Sequence, residues 1–164
     1  LGRHAEAEPL HKQCYDAVCR TLGADHPTAL LALRKWVASL REQGRDAEAT
    51  ALERQCYDAC RRTLGDDHPQ TLTALCKWAG SLEDLGHNVK AEPLRKQCYD
   101  AFRRTLGADH PKTIVALREW VDCLYMLGRD AEAEALEKQF SDTGTRTFAV
   151  ERTASLTSLG SWEV

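Results

Sequence analysis

The sequence predicts an all-α fold, a solenoid of antiparallel helix pairs, and three observations predict it. Glycines recur every 21 residues, at Gly2, Gly23, Gly44, Gly65, Gly86, Gly107 and Gly128, and glycine is the residue that most readily adopts the left-handed conformation closing a helix. The segments between them alternate in kind, so the full period is 42: Trp36, Trp78 and Trp120 mark one kind, Cys14, Cys56 and Cys98 the other. Within each segment the apolar residues fall three and four apart, the spacing of an amphipathic helix. Such pairs bury their apolar faces only by stacking on their neighbours.

The chain opens on a segment of the second kind without its partner, a half repeat at 1–22 with a helix expected over 3–22. Leu1-Gly2 matches Leu85-Gly86 and Leu127-Gly128, the end of a first-kind helix. The chain is therefore expected to begin inside a repeat and to be a piece of a longer array. Full pairs are expected at 23–64, 65–106 and 107–141. Their first helices should run from His26 to Gln43, His68 to Leu85 and His110 to Leu127. Pro27, Pro69 and Pro111 suit the first turn, where no intrahelical donor is needed. Asp25, Asp67 and Asp109 place a carboxylate near the positive helix end, and either the Asp or the following His can serve as the N-cap. Leu33, Trp36, Val37 and Leu40 form the buried stripe, repeated as Leu75, Trp78, Ala79 and Leu82 and as Leu117, Trp120, Val121 and Leu124.

The second helices should run from Asp46 to Leu64, Asn88 to Leu106 and Asp130 to about Ser141. Ala49, Leu52, Cys56, Ala59 and Cys60 form their buried face, with Ala91, Leu94, Cys98, Ala101 and Phe102 equivalent. Ala49, Ala91 and Ala133 let helix backbones approach closely. Pro9 and Pro93 each remove one hydrogen bond early in this helix and should bend it slightly. Tyr15, Tyr57 and Tyr99 should pack between repeats with the hydroxyl at the rim. The segment 142–164 has two readings. By composition it is a Ser/Thr-rich disordered tail. By period, Ser155, Leu156, Leu159 and Trp162 fall in register with Thr71, Leu72, Leu75 and Trp78, as a degenerate first helix of a fourth repeat.

The totals exclude several classes. The chain has 164 residues, 43% hydrophobic and 29% charged, a globular balance. A net charge of −3 supplies no basic field for nucleic acid. No apolar run reaches the roughly 20 residues that cross a bilayer, so no membrane contact is expected. Seven cysteines are an odd number without disulfide-framework spacing, which points to reduced thiols and a cytoplasmic setting.

These repeats resemble the tetratricopeptide repeat in its 42-residue, kinesin-light-chain-like form. The resemblance rests on Leu64-Gly65-Asp66-Asp67-His68-Pro69-Gln70-Thr71, on Gln43-Gly44-Arg45-Asp46-Ala47-Glu48-Ala49, and on Leu85-Gly86 through Ala91-Glu92-Pro93-Leu94. It covers residues 1–141 well and the remainder weakly. It implies a right-handed superhelix whose first helices line a concave groove, and a protein-interaction scaffold rather than an enzyme; a cargo adaptor of the kinesin-light-chain kind is one form. The family usually carries an Asn that clamps ligand backbone, and the matching positions here are Lys35, Lys77 and Glu119, so that clamp is missing.

On this reading the groove is lined by Leu31, Arg34, Lys35, Ala38 and Arg41, then Thr73, Cys76, Lys77 and Gly80, then Val115, Arg118 and Asp122. Ala38 and Gly80 leave room for a ligand backbone. Arg34, Lys35, Lys77 and Arg118 make a cationic centre suited to an acidic peptide, because guanidinium groups grip carboxylates in a fork. The tryptophans follow the packing stripe and read as core rather than as a base-stacking platform. The cysteines read as small hydrophobes, with no metal-ligand spacing among them. The histidines recur once per repeat at a turn, without a converging nucleophile or base, so no catalytic residue and no cofactor is expected. Two other classes remain open. One is a structural spacer that self-associates through its incomplete ends; the other is a regulatory module of a larger signalling protein or enzyme.

Overall fold

The computed structural model describes residues 2–142, which form seven helices: α1 (Gly2–Leu22), α2 (Pro27–Glu42), α3 (Asp46–Leu64), α4 (Pro69–Asp84), α5 (Asn88–Leu106), α6 (Pro111–Met126) and α7 (Asp130–Asp142). The degenerate fourth helix expected in 142–164 lies outside the described residues beyond Asp142. Each helix packs chiefly on its neighbours in the chain, which is the one-dimensional stacking of a solenoid. Gly2 is the first residue of α1. Pro9 and Pro93 sit inside α1 and α5, which continue through them.

The two kinds of turn close differently. After α4, Gly86 takes φ 72°, and the amide of His87 donates to the carbonyl of Leu82 at 2.7 Å while that of Gly86 donates to Glu83 at 2.8 Å. This pair of bonds satisfies carbonyls left over at the helix end. After α3, Gly65 has φ 87° and ψ 168°, an extended left-handed conformation open only to glycine, and the chain turns toward the next repeat. In both places an alanine would be strained by the backbone alone, since nothing stands near its Cβ.

His, not Asp, is the N-cap. Nδ1 of His26, His68 and His110 accepts the amide of Thr28, Gln70 and Lys112 at 3.2, 3.2 and 3.1 Å. The aspartates act elsewhere: Asp25 pairs with Arg62 at 2.6 Å and Asp67 with Arg104, tying the start of each first helix to the end of the second helix of its pair. Replacing His68 with alanine is expected to lower stability by about 1 kcal/mol, whereas His68→Asn keeps an acceptor and most of that stability. Urea denaturation of both variants checks this; equal losses would remove the capping role.

The core follows the expected stripes. Leu33, Leu40, Leu75, Leu117 and Leu124 are fully buried. Each tryptophan lies on a tyrosine of the preceding helix: Tyr15 with Trp36, Tyr57 with Trp78 and Tyr99 with Trp120, ring centres 5.7–5.8 Å apart. Indole Nε1 donates to Glu8 from Trp36 at 2.8 Å and to Glu92 from Trp120 at 2.9 Å. Lys12, Arg54 and Lys96 cap the outer indole faces at 5.7–5.8 Å, so the inter-repeat seam ends in a cation at the rim. Trp120 is buried, while Trp36 and Trp78 are half-buried. Cys56 and Cys98 are core residues as expected, but Cys14 is exposed. The reason is positional: α1 packs on α2, and no described helix covers its other face as α2 covers α3 and α4 covers α5.

Candidate functional site

Helices α2, α4 and α6 present one face each to a shared concavity. Residues three and four apart on a helix project together, which brings Arg34, Ala38 and Arg41 beside Thr73, Cys76, Lys77, Gly80 and Val115. These eight line a cavity of about 650 Å³. Leu31, Lys35, Arg118 and Asp122, the remaining groove candidates, are not among its lining residues. Leu31, Lys35 and Asp122 are exposed and Arg118 is half-buried.

The floor contains charges that the pattern of first helices alone does not show. Glu53 of α3 and Arg95 of α5 reach into the groove from the second helices. Arg41 and Glu53 form an ion pair at 3.1 Å, and Ser81 hydrogen-bonds to both. One period later the signs reverse. Arg95, only 6% exposed, holds Glu83 in a two-pronged grip at 2.6 and 2.9 Å and reaches Glu119 at 2.6 Å. In the next pair the same two positions hold Tyr125 and Glu137, at 3.2 Å. Burial alone would weaken the charge on Arg95, but Glu83 and Glu119 hold its pKa above the usual value. Burial pushes the carboxyl of Glu119 up, against the pull of Arg95. The signal for this network was present in the sequence: Glu53 and Arg95 lie four residues after Ala49 and Ala91, on the buried side of the helix.

Two consequences alter the expected groove. Arg41 is committed to Glu53. The space above Gly80 is not open for a ligand backbone, because a Cβ there would stand 3.3 Å from Nη2 of Arg95; the glycine makes room for the buried guanidinium. Arg95 faces two carboxylates, Glu83 and Glu119, so that network keeps one negative charge in excess; outside it and the Arg41–Glu53 pair, the cavity wall carries Arg34, Lys77 and Lys112 against Asp84. Their field is felt nearby. The hydrogen bond with Cys60 lowers the Cys56 thiol below its ordinary value against the opposing effect of burial, and Arg34 and Lys77 lower it further.

Among the described residues no helix is long and apolar enough to cross a membrane, and no group of three or more His, Cys, Asp or Glu side chains converges to hold a metal ion. Among the described residues the arrangement offers a shaped, charged concavity.

Comparison with known proteins agrees with this architecture. The chain is similar to a crystal structure from Podosopora anserina, assigned as a kinesin light chain with nearly identical TPR-like repeats. The TM-score is 0.76 at 24% identity, covering 90% of this chain and 70% of that one. A point variant of the same protein gives 0.76 and 24%, covering 90% and 69%. No curated protein matches the sequence. Family models described as tetratricopeptide repeat match residues 72–141 and residues 1–28 and 37–70. With those matches spread along the helices just described, the chain belongs to the tetratricopeptide repeat family.

Proposed function

We propose that this chain is a protein-interaction scaffold whose groove takes an extended, acidic segment of a partner protein. The observation that carries the reading is the residual charge of the cavity wall, where Arg34, Lys77 and Lys112 outnumber Asp84 and the one carboxylate in excess at Arg95. The apolar walls supplied by Val37, Ala38 and Val115 give such a segment surface to bury, and the cations select its side chains. An adaptor role of the kinesin-light-chain kind is the same reading with a cargo protein as partner. The seven thiols, all unbridged, favour a reducing compartment such as the cytoplasm.

Fluorescence polarisation against a library of acidic and neutral peptides tests the proposal. Arg34→Glu combined with Lys77→Glu is expected to weaken binding of acidic peptides at least about tenfold, and added salt should weaken wild-type binding. Equal enrichment of acidic peptides by both proteins would remove it. A second reading, end-to-end self-association, is favoured by α1, where Leu10 is 62% exposed and Cys14 faces solvent. It predicts a sedimentation coefficient that rises with protein concentration and falls back in a Leu10→Glu variant; a concentration-independent value would exclude it.

A further inference from the structure

The position of Arg34 in α2 recurs as Cys76 in α4, and the position of Cys56 in α3 recurs as Cys98 in α5. In the first pair a guanidinium therefore neighbours a thiol; in the second, two thiols meet. Their sulfurs are 3.0 Å apart, inside ordinary contact distance and about 1 Å from the roughly 2 Å of a disulfide bond. Cys98 is wholly buried, while Cys76 is half-buried and opens onto the groove. One sulfur thus has access to a small oxidant, and the other waits behind it.

We propose that Cys76 and Cys98 form a reversible, peroxide-sensitive disulfide that staples α4 to α5. Hydrogen peroxide is the oxidant. The Cys76 thiolate attacks one peroxide oxygen, the O–O bond breaks, and the departing hydroxide takes a proton to leave as water, so that Cys76 becomes a sulfenic acid. The sulfur of Cys98 then attacks that of Cys76. The S–S bond forms, the S–O bond breaks, and the hydroxide released takes the Cys98 proton as a second water. The two thiols have lost two electrons and two protons, and one peroxide has become two waters. The hydrogen bond between the sulfurs holds the Cys76 thiol below its ordinary value and Arg95 helps, while burial and Glu119 oppose. That favours the thiolate at the accessible sulfur, the one that must react first.

The exposed Cys14 and half-buried Cys19 would react independently, so the test uses the full chain carrying Cys14→Ser and Cys19→Ser. This protein is treated with hydrogen peroxide, alkylated, digested and mapped by mass spectrometry without reduction. The expected result is a peptide containing Cys76 joined to one containing Cys98, lighter by two hydrogens, lost on treatment with dithiothreitol and absent when Cys76→Ser is added. Circular dichroism confirms that the added variant keeps its helices. Recovery of Cys76 and Cys98 as separate alkylated thiols, conversion of Cys76 to an unjoined sulfinic acid, or a bridge confined to Cys56 and Cys60 would each overturn the proposal.

Discussion

Replacing Trp120 with alanine is expected to destabilise the protein by about 3–5 kcal/mol, the range for deleting a large buried aromatic. Three losses combine. The indole is 9% exposed and belongs to the main hydrophobic cluster. It lies on Tyr99 with ring centres 5.7 Å apart. Its Nε1 donates to Glu92, which keeps a second partner in Arg129 at 3.5 Å and so is not stranded. Trp36→Ala and Trp78→Ala should cost less, because these rings are half-buried and give up less area removed from water. Urea unfolding followed by circular dichroism measures all three. A Trp120→Ala loss no greater than that of Trp78→Ala would show that the inter-repeat seam does not depend on the depth of its aromatic.

Replacing Arg95 with methionine is the second large expected effect. The change keeps much of the side-chain volume but leaves Glu83 and Glu119 without their cation. Breaking a fully buried ion pair costs about 3–5 kcal/mol. Glu83 and Glu119 retain 25% and 38% side-chain exposure and can regain water, so a loss of about 2–3 kcal/mol is expected at neutral pH. The pH dependence has a definite sign. Glu119 already has a folded-state pKa above its ordinary value, so its contribution favours the fold in acid and is lost as pH rises through that raised pKa. Removing Arg95 takes away the charge that opposes this rise at Glu119. The Arg95→Met penalty should therefore shrink as pH falls toward about 4, as Glu119 takes up its proton. A penalty that stays constant or grows over that interval would contradict the electrostatic origin assigned to the network.

Much of this fold was readable because its determinants repeat. Glycine at the turns, proline at the first helical position and tryptophan on the stripe each return at a fixed interval, so tertiary context had little to override. The tyrosines were placed between repeats for the same reason. What escaped depended on how two neighbouring helices face each other. His68 and Asp67 are adjacent and both can accept an amide, so only the geometry separates the cap from the partner of Arg104. Glu53 and Arg95 are charges on an otherwise apolar face, and their burial follows from partners supplied by α2, α4 and α6. Cys76 and Cys98 lie 22 residues apart with no pattern linking them until α4 and α5 are laid side by side. Cys14 has a core sequence position but no covering helix among the described residues. Of the groove residues read from the sequence, eight line the cavity and Leu31, Lys35, Arg118 and Asp122 do not, because spacing along one helix does not say how deep the neighbouring helices set each row.

The reversal of sign between Arg41–Glu53 and Glu83–Arg95, with Tyr125–Glu137 in the third pair, bears on how near-copies avoid mistaken partners. Tandem units of similar sequence are prone to exchange elements during folding. If α2 took the place of α4 against α5, Arg41 would confront Arg95; if α4 took the place of α2 against α3, Glu83 would confront Glu53. Like charges so placed repel where the native match attracts. The two ion pairs thus serve as address labels for the first two hairpins, set among greasy surfaces of similar sequence.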